Sequence, residues 1–452
     1  MSRKMVSGFA LTILLVAIST LAFNIQPIES NPGTITVPND YPTIQEAINA
    51  ASEGDIINVK PGTYYENVVL NKTLSLVGEN PETTIIDGEV DTCVRVTANS
   101  TNITGFTMQS SMATWWVAGI SFDSSHNNVS NNIIKNTTEG IILGQGRKCR
   151  NNTITNNTLI GNWFGIRGFF GASDNLIVGN NISRSTEYGM DLLSNNTISG
   201  NTIFFTSEGW IGYGDGISIR GVNNIVSDNK IYNNNGTAIS IITDIKGSNF
   251  IIGNFIASNR RGISLRYGTT ISENTVGFND VGLYIWGDHG NNTIYHNNFI
   301  KNTQQVESDS TNEWDYDDEG NYWSDYEDRY PEAQKLEPLP IWDTPYVINE
   351  NNQDNYPLIE PLEMRWVFEL YGIVVYTKSS VTNPNFDEEL GQISFNVTTD
   401  ITDSCRVYIP KWVLDGAFNF LIDDVPTGYT IAWPPNTTKY TSATAKALIT
   451  SK

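Results

Sequence analysis

The sequence is poor in cysteine and in basic residues, and each shortage excludes a class of protein. The three cysteines, Cys93, Cys149 and Cys405, lie far apart, so the chain has neither a disulfide framework nor the close Cys spacing of a metal site. We expect them to be buried, small apolar residues. With 27 Lys and Arg against 49 Asp and Glu, the net charge is −22. This charge argues against nucleic acid as a partner, because phosphates require basic surfaces.

Long apolar runs are absent after the first 30 residues. Residues 1–30 begin with Arg3 and Lys4 and continue with roughly fifteen apolar residues, which is typical of a signal peptide. An uncleaved membrane anchor is the alternative. No later segment reaches the roughly 18 apolar residues of a membrane-spanning helix. We therefore expect a secreted or cell-surface protein without an integral membrane domain after signal cleavage.

The sequence is rich in asparagine pairs that are separated by short runs of Ile, Val and Thr. Residues 151–162 read NNTITNNTLIGN, and similar blocks occur at 127–136, 223–234 and 291–302. Between these blocks a Gly-Ile step, or a near equivalent, recurs at spacings of 20 to 27 residues. Its positions are Gly119, Gly140, Gly165, Gly189, Gly216, Ala238, Gly262 and Gly282. Such a period indicates stacked structural repeats.

Each repeat contains three strand-like pieces that are broken by single Asn or Gly residues. Single-residue corners do not suit hairpins, and no helix-length apolar stripe lies between Phe106 and Phe299. The pattern therefore predicts an all-β fold, a right-handed parallel β-helix over residues 31–303, whose rungs stack at about 4.8 Å. We expect asparagine to occupy left-handed corners and to form hydrogen-bonded ladders between rungs.

Three further segments have their own patterns. Residues 44–51 carry apolar side chains at helical spacing, which predicts a short helix that covers the amino-terminal end of the stack. Residues 304–363 form an acidic, aromatic-rich tail that we expect to pack on the last rung. Between Glu307 and Asp354 this tail has 15 acidic residues against two basic ones. Residues 364–452 contain runs that alternate in period two, which predicts a small β-sandwich.

A resemblance to a known family now becomes specific. The run TIQEAINAASEGDIINVKPGTYYE, residues 43–66, resembles the opening of secreted pectin-lyase-like right-handed β-helix proteins. These include NosD-like proteins, named after a periplasmic copper-binding protein, and carbohydrate-binding and sugar-hydrolysis domains. The segments GNYWSDY at 320–326 and DTPYVI at 343–348 are similar to the tail of archaeal surface members. The resemblance implies the fold but no single activity, because this fold carries lyases, hydrolases, epimerases and inert surface proteins.

The resemblance also raises the question of two metals, calcium and copper. Related tails often carry an Asp-x-Asp-Gly-Asp-Gly-like stretch that suggests calcium, but this chain has RYPEAQKLEPLPIW in its place. The remaining acids offer hard oxygen ligands for calcium, and the alternative is a solvated acidic loop held by aromatic residues. The candidate calcium ligands are Asp315, Asp317, Asp318 and Asp325. For copper there are three histidines and no His-x-His or Met-rich run, which favours surface histidines. These histidines are His126, His289 and His296.

The register of the Gly-Ile strands separates core from exterior positions. Side chains one and three residues after Gly are apolar and should face the core, so those two and four residues after Gly should face outward. The outward set and the turns before it mix aromatic rings, arginines and carboxylates, which suits pyranose rings and uronate carboxylates. The alternative is a set of weak surface ion pairs, such as Arg167 with Asp191. The predicted substrate-binding residues are Trp163, Arg167, Phe169, Glu187, Tyr188, Arg220, Arg266, Tyr284 and Trp286.

The sequence offers less for catalysis. Inverting glycosidases need two carboxylates about 6.5 to 9.5 Å apart, and Asp191 with Asp215 is the best local pair. Asp215 resembles the Asp-Gly position of polygalacturonases, but that family's Gly-His-Gly is missing, as is the Asp-Pro-His-Asp of mannuronan epimerases. We therefore expect a non-catalytic protein that binds a polysaccharide or cell-surface glycan, or that contributes to the envelope. A polysaccharide hydrolase or lyase is one alternative, and NosD-type copper handling is another.

Overall fold

A computed structural model describes eight stretches of the chain in full: residues 32–111, 116–144, 148–210, 213–243, 245, 247–287, 290–336 and 339–362. From residue 364 onward only the strands given below are described. The predicted signal peptide, residues 1–30, lies outside the described residues. Among the residues that the structure describes, no helix is long and apolar enough to cross a membrane.

The chain winds through three parallel sheets, and each rung visits sheet I, then sheet III, then sheet II. Sheet I has 12 strands: Thr34–Val37, Ile56–Val59, Ser75–Gly78, Asn102–Thr104, Asn128–Ser130, Thr153–Thr155, Leu176–Val178, Thr197–Ser199, Ile225–Ser227, Asn249–Ile252, Thr269–Ser272 and Thr293–Tyr295. Sheet II has 11 strands: Val68–Leu70, Val94–Val96, Ala118–Phe122, Glu139–Leu143, Phe164–Gly168, Tyr188–Leu192, Asp215–Ile219, Thr237–Ile241, Arg261–Leu265, Val281–Ile285 and Gln304–Ser308. Sheet III has 12 strands: Gly62–Tyr65, Thr84–Asp87, Thr107–Gln109, Ile133–Lys135, Thr158–Ile160, Asn181–Ser183, Thr202–Phe204, Lys230–Tyr232, Phe255–Ala257, Thr275–Gly277, Asn298–Ile300 and Tyr322–Trp323. The predicted parallel β-helix is confirmed.

The core lies inside the three sheets and is built from the apolar positions that the register predicts. Ile141 and Leu143 are fully buried, as are Ile217 and Ile219 three rungs further along the same sheet. Cys93 and Cys149 are free, buried thiols, as expected, whereas the burial of Cys405 lies outside what the structure describes. Stacked aliphatic side chains from successive rungs therefore form one continuous hydrophobic column.

The glycine of the Gly-Ile step has a steric cause. A Cβ atom at Gly165 would overlap the carbonyl oxygen of Gly189 on the next rung, and it would lie 2.7 Å from Cγ2 of Ile182 in sheet III. The start of each sheet II strand passes so close to its neighbours that a side chain has almost no room. Ala238 shows that one rung of this column accepts a methyl group.

The two asparagines of each pair have different roles, as Asn156 and Asn157 show. Asn156 is exposed and has a φ of 54°, in the left-handed region that asparagine tolerates. Asn157 is buried, and its Oδ1 accepts hydrogen bonds from the backbone and side-chain amides of Asn132, both at 3.1 Å. Its Nδ2 donates to Oδ1 of Asn180 on the next rung at 3.1 Å. The first asparagine therefore makes the corner, and the second makes the ladder.

Three such ladders run along the coil. The first joins Asn127, Asn152, Asn175, Asn196, Asn224 and Asn249. The second joins Asn132, Asn157, Asn180, Asn201, Asn229, Asn254, Asn274, Asn297 and Asn321. The third joins Asn234, Asn259, Asn279 and Asn302. In two earlier rungs of the third ladder, Ser185 and Thr206 occupy the asparagine position, and their buried hydroxyls have no hydrogen-bond partner within the described residues.

A short helix, Ile44–Ala50, lies beside the first strands. The Thr43 hydroxyl accepts a hydrogen bond from the backbone of Glu46 at 3.1 Å, which is a helix N-cap. Ile44, Ala47 and Ile48 are buried in the same core cluster as the coil. The helix therefore forms where the apolar spacing predicts it.

The first part of the acidic tail adds strands to the coil's sheets. Gln304–Ser308 pairs in parallel with Val281–Ile285, and Tyr322–Trp323 pairs in parallel with Asn298–Ile300. The domain division expected at residue 303 stays a prediction. A second short helix, Tyr326–Arg329, and an antiparallel hairpin, Tyr346–Asn349 with Asn352–Asp354, follow.

The tail also packs on the last rung. The Trp323 ring stacks between Phe299 and Tyr346, with centroid distances of 4.5 and 4.1 Å. Asp354 ends the second asparagine ladder, because its Oδ2 accepts the backbone amide of Asn321 at 2.7 Å.

Beyond residue 364 the strands are antiparallel. A five-stranded sheet contains Met364–Phe368, Ile373–Thr377, Cys405–Pro410, Tyr440–Ala445 and Thr430–Ala432. Two further pairs join Ser380–Asp387 with Gln392–Thr398 and Leu421–Ile422 with Val425–Pro426. A two-stranded parallel pair, Cys149–Arg150 with Ala172–Ser173, lies within the coil region. The β-sandwich expected for residues 364–452 stays a prediction.

Candidate functional site

The exterior of sheet II carries the predicted site, and its register is as expected. Arg167 lies opposite Asp191, which in turn lies opposite Ser218. Most short side chains of this stripe are nevertheless covered, for example Asp191, Ser218 and Ser264. Longer side chains from neighbouring positions lie across them. The exterior is therefore a packed surface with a few exposed points, rather than the open flank that the register alone suggests.

Arg167 is the centre of a first cluster. Its Nη1 donates to Oε1 of Glu139 at 2.9 Å, and its Nε lies 3.5 Å from Oδ2 of Asp191. The guanidinium also lies 4.0 Å from the ring centroid of Phe164 and 4.8 Å from that of Phe169. Arg167 is thus held by two carboxylates and two aromatic rings.

Arg220 closes this cluster from the next rung. Its Nε donates to Oδ1 of Asp191 at 2.7 Å, and its Nη2 donates to the carbonyl oxygen of Gly168 at 3.3 Å. With Glu139 and Asp191 ionised, two arginines balance two carboxylates. The cluster therefore has little spare positive charge for a uronate, and the ion-pair alternative describes Arg167 well.

Glu139 belongs to this cluster, although the sequence does not single it out. Burial raises its pKa to about 7, against the lowering effect of Arg167. Its Oε2 is buried and has no hydrogen-bond partner in the part of the chain that the structure describes. The sequence does offer one signal for Glu139: it stands immediately before the strand glycine, as Asp215 does. Burial likewise raises the pKa of Asp191, although Arg220 and Arg167 lower it.

The structure places Asp191 and Asp215, the candidate catalytic pair, in separate clusters. Asp215 lies opposite Tyr188 and Asp191 lies opposite Ser218, which corresponds to a Cα separation of about 11 Å. Asp215 Oδ1 accepts the backbone amide of Thr237 at 2.7 Å. Burial raises its pKa to about 6, while the Thr237 amide and nearby arginines lower it. The two acids are therefore held by different partners.

A second group, which we call the aromatic platform, consists of three predicted residues, Tyr284, Trp286 and Arg266, together with Arg261. The Trp286 indole donates to Ser264 Oγ at 2.7 Å and meets the Tyr284 ring edge-on at 5.1 Å. Arg261 lies 4.3 Å from the Tyr284 centroid, and Arg266 lies 5.9 Å from that of Trp286. Trp286 still has 39% of its surface exposed. The platform is a fixed ring surface that solvent can reach.

The other predicted binding residues lie on the rungs of the first cluster. Glu187 is buried, and its Oε1 accepts the backbone amide of Trp210 at 2.7 Å. Tyr188 stacks on Phe164 at 5.7 Å, and burial raises its pKa to about 12. Trp163 is half-buried. The strands that carry Arg167 and Tyr284 are five rungs apart, or about 24 Å, so the nine predicted residues form two surfaces rather than one.

The candidate calcium ligands do not converge. Asp315 accepts both amides of Asn355. Asp317 and Asp318 occupy an exposed turn with positive φ. Asp325 instead accepts the Tyr346 hydroxyl at 3.0 Å. Within the described ranges, no three His, Cys, Asp or Glu side chains are grouped for a metal ion.

The two histidines that the structure describes likewise do not meet at one site. His126 contacts the Asn151 amide, and Nε2 of His296 lies 2.5 Å from Oε2 of Glu319. Their rungs are seven strands apart in sheet I, or about 34 Å. His289 lies outside the described residues. His126 and His296 therefore cannot share one copper ion.

Two family models match the chain. One is described as a right handed beta helix region and matches residues 92–244. The other is described as periplasmic copper-binding protein (NosD) and matches residues 210–328. Each match covers less than half of the chain. No curated protein matches the sequence.

Solved structures share the architecture at low identity. Pectate lyase Pel9A is 15% identical with a TM-score of 0.48, over 62% of this chain and 83% of that chain. The tailspike protein of E. coli bacteriophage HK620, in complex with a pentasaccharide, is 14% identical with a TM-score of 0.48, over 62% of each chain. The PL6 family alginate lyase AlyGC is 16% identical with a TM-score of 0.47, over 60% of this chain and 44% of that chain. Identities this low say nothing about activity.

Proposed function

We propose that this chain, a pectin-lyase-like right-handed β-helix protein, binds a polysaccharide on the exterior of sheet II, with the aromatic platform as its centre. One observation carries the proposal. Trp286 is held by Ser264 and Tyr284 and still exposes 39% of its surface. A ring that is fixed before binding loses little conformational freedom when a sugar stacks on it.

The groups around the ring suit a sugar. Pyranose rings offer apolar C–H faces to an indole. Their hydroxyl groups accept hydrogen bonds from guanidinium groups, which Arg261 and Arg266 provide beside the two rings. The guanidinium groups stay close to the ring faces, so a neutral sugar and a uronate both find donors there.

A binding role is favoured over a catalytic one because the nearby acids are buried and engaged. Asp191 is held by Arg167 and Arg220, and Asp215 by the backbone of Thr237. The proposed place of action is the cell surface or the medium, since residues 1–30 have the pattern of a signal peptide. Sequencing the amino terminus of the protein recovered from the envelope checks that placement.

A polysaccharide hydrolase is the second candidate, and Glu139 is the observation that favours it. A carboxyl group with a pKa of about 7 is half protonated at neutral pH, as a general acid requires. Release of reducing ends from uronate and neutral polymers, lost in Glu139→Gln, would support this role. Activity that persists in Glu139→Gln excludes Glu139 as the acid.

The binding proposal is tested by titrating the chain with neutral and uronate oligosaccharides. Trp286→Ala should weaken binding about tenfold, or about 1.4 kcal/mol. Tyr65→Ala is the matched control, because Tyr65 is an exposed aromatic residue near the amino-terminal end of sheet III. Unchanged affinity in Trp286→Ala, or an equal loss in Tyr65→Ala, contradicts the proposal.

A further inference from the structure

A polar cleft lies on the turns that connect sheet III to sheet II, at the edge of sheet II where its strands begin. We call it the turn cleft; it has a volume of about 580 Å³, and its lining includes Glu208, Asn235, Arg260, Phe278 and Asp280. These residues come from four successive rungs, which span about 14 Å along the coil. The cleft therefore extends across several rungs and is open to solvent.

The cleft exists because turn lengths differ between rungs. Ten residues, 205–214, connect sheet III to sheet II on the rung that carries Glu208, whereas four residues, 233–236, do so on the next rung. The long turn is anchored, since the Trp210 amide donates to Glu187 at 2.7 Å. At Gly236 an added Cβ would overlap the carbonyl oxygen of Tyr213 and the carboxylate of Asp215. Glu208 of the long turn thus lies on one wall, and the short turn forms the floor.

The opposite wall is aromatic and acidic. Phe278 exposes 42% of its surface, and Asp280 is exposed two residues later, immediately before Val281–Ile285. Arg260 is exposed on the rung between the two walls. The lining therefore combines a ring face, an amide, a guanidinium and two carboxylates, which are the groups that recognise sugar C–H faces and hydroxyls.

The charges of the lining select among sugars. Glu208 and Asp280 carry two negative charges, and Arg260 carries one positive charge. An anionic sugar would meet a net repulsion, whereas the hydroxyl groups of an uncharged sugar can donate to both carboxylates.

We propose that the turn cleft is a second sugar subsite and that it selects an uncharged sugar residue. This inference rests on the proposed polysaccharide binding, because both surfaces would hold the same polymer. Arg260 directly precedes and Arg266 directly follows the strand Arg261–Leu265, which is about 16 Å long. A glycan that crosses sheet II along its strands, rather than following the coil axis, reaches both surfaces.

The experiment removes the Phe278 ring without disturbing the corner. Phe278 has a φ of 58°, and Asn233 occupies the equivalent corner two sheet III strands earlier with a φ of 56°. Phe278→Asn therefore keeps a residue suited to that conformation. Phe205→Asn is the matched control. Phe205 has a φ of 57° and is 39% exposed, but its ring contacts Phe204 at 5.2 Å.

The chain and its variants are titrated calorimetrically with neutral and uronate oligosaccharides. Phe278→Asn should weaken the binding of neutral oligosaccharides about tenfold, or about 1.4 kcal/mol, and Phe205→Asn should not. Neutralising the acids by Glu208→Gln and Asp280→Asn should improve uronate binding relative to the parent chain. If Phe278→Asn leaves the affinity for neutral oligosaccharides unchanged while Trp286→Ala lowers it, the turn cleft is not a sugar subsite. The proposal for the aromatic platform is then still supported. A parent chain that binds no oligosaccharide overturns both.

Discussion

Replacing Asn157 by alanine should destabilise the coil far more than replacing its neighbour Asn156 by glycine. The Asn157 side chain is 1% exposed, and its amide makes four hydrogen bonds of 3.0 to 3.1 Å. Two of these reach Asn132 on the preceding rung, one reaches Asn180 on the next rung, and one reaches the carbonyl oxygen of Val129. Asn156 is exposed at a left-handed corner.

The expected loss in the free energy of unfolding follows from the groups that have no hydrogen-bond partner once Asn157 is alanine. The backbone amide of Asn132 loses its acceptor, and the carbonyl of Val129 loses this donor. A buried polar group without a partner costs about 1–3 kcal/mol, so two such groups amount to about 2–6 kcal/mol in the free energy of unfolding. Asn156→Gly should change it by no more than about 0.5 kcal/mol, because glycine adopts positive φ without strain.

Denaturation by guanidinium, followed by circular dichroism, measures the difference. A repeat protein can unfold in more than one step, so the transition that involves the central rungs is the one to compare. Asn157→Asp serves as a second variant. It keeps the acceptor for Asn132, but its second oxygen replaces the donor and faces the oxygen atoms of Val129 and Asn180. If Asn157→Ala and Asn156→Gly have the same midpoint, the ladder contributes nothing to stability and the reasoning is refuted.

Three further predictions concern the coil. Burial raises the pKa of both Glu139 and Asp354 to about 7, whereas such groups titrate near about 4 in an unfolded chain. The stability that these two groups contribute is therefore fully present below about pH 4 and is lost as the pH rises through about 7. Melting temperatures across this range, with a shallower slope in Glu139→Gln, check the sign. Gly165→Ala should cost about 1–3 kcal/mol, because its Cβ would overlap the carbonyl of Gly189; an unchanged denaturation midpoint contradicts the steric account. Ser185→Asn should raise the midpoint by adding one step to the third ladder, and a lower midpoint would show that the amide does not fit there.

The fold was predictable from the sequence because its determinants are local and repeated. Ile141 and Leu143, one and three residues after a glycine, already indicate which face is buried. What the pattern does not reveal is that Asn156 and Asn157 have different roles. The residue type is the same, and only the stacking of rungs separates the corner from the ladder. The sequence does not reveal that Gln304–Ser308 pairs with sheet II, because QQVES lacks the Gly-Ile step that marks the earlier strands.

The candidate site was less predictable, because burial there depends on side chains from other rungs. The register places Asp191 on the exterior, but it does not show that Arg220 lies across it. Glu139 was missed because its one signal in the sequence, its position before Gly140, does not show that it is buried, and its partner Arg167 lies on the next rung. The turn cleft depends on a difference in turn length between two rungs, which only the assembled stack converts into a wall and a floor.

The asparagine ladders have a direction, since each Oδ1 accepts from the rung before it, and this has a consequence for how the protein can change over time. Rungs within the first and second ladders present the same acceptors backward and the same donors forward, so in these ladders a duplicated or deleted rung meets partners that already fit. Only the last rung needs a special terminator, which Asp354 provides for the second ladder. The length of the coil can therefore evolve in whole rungs while both ends stay unchanged.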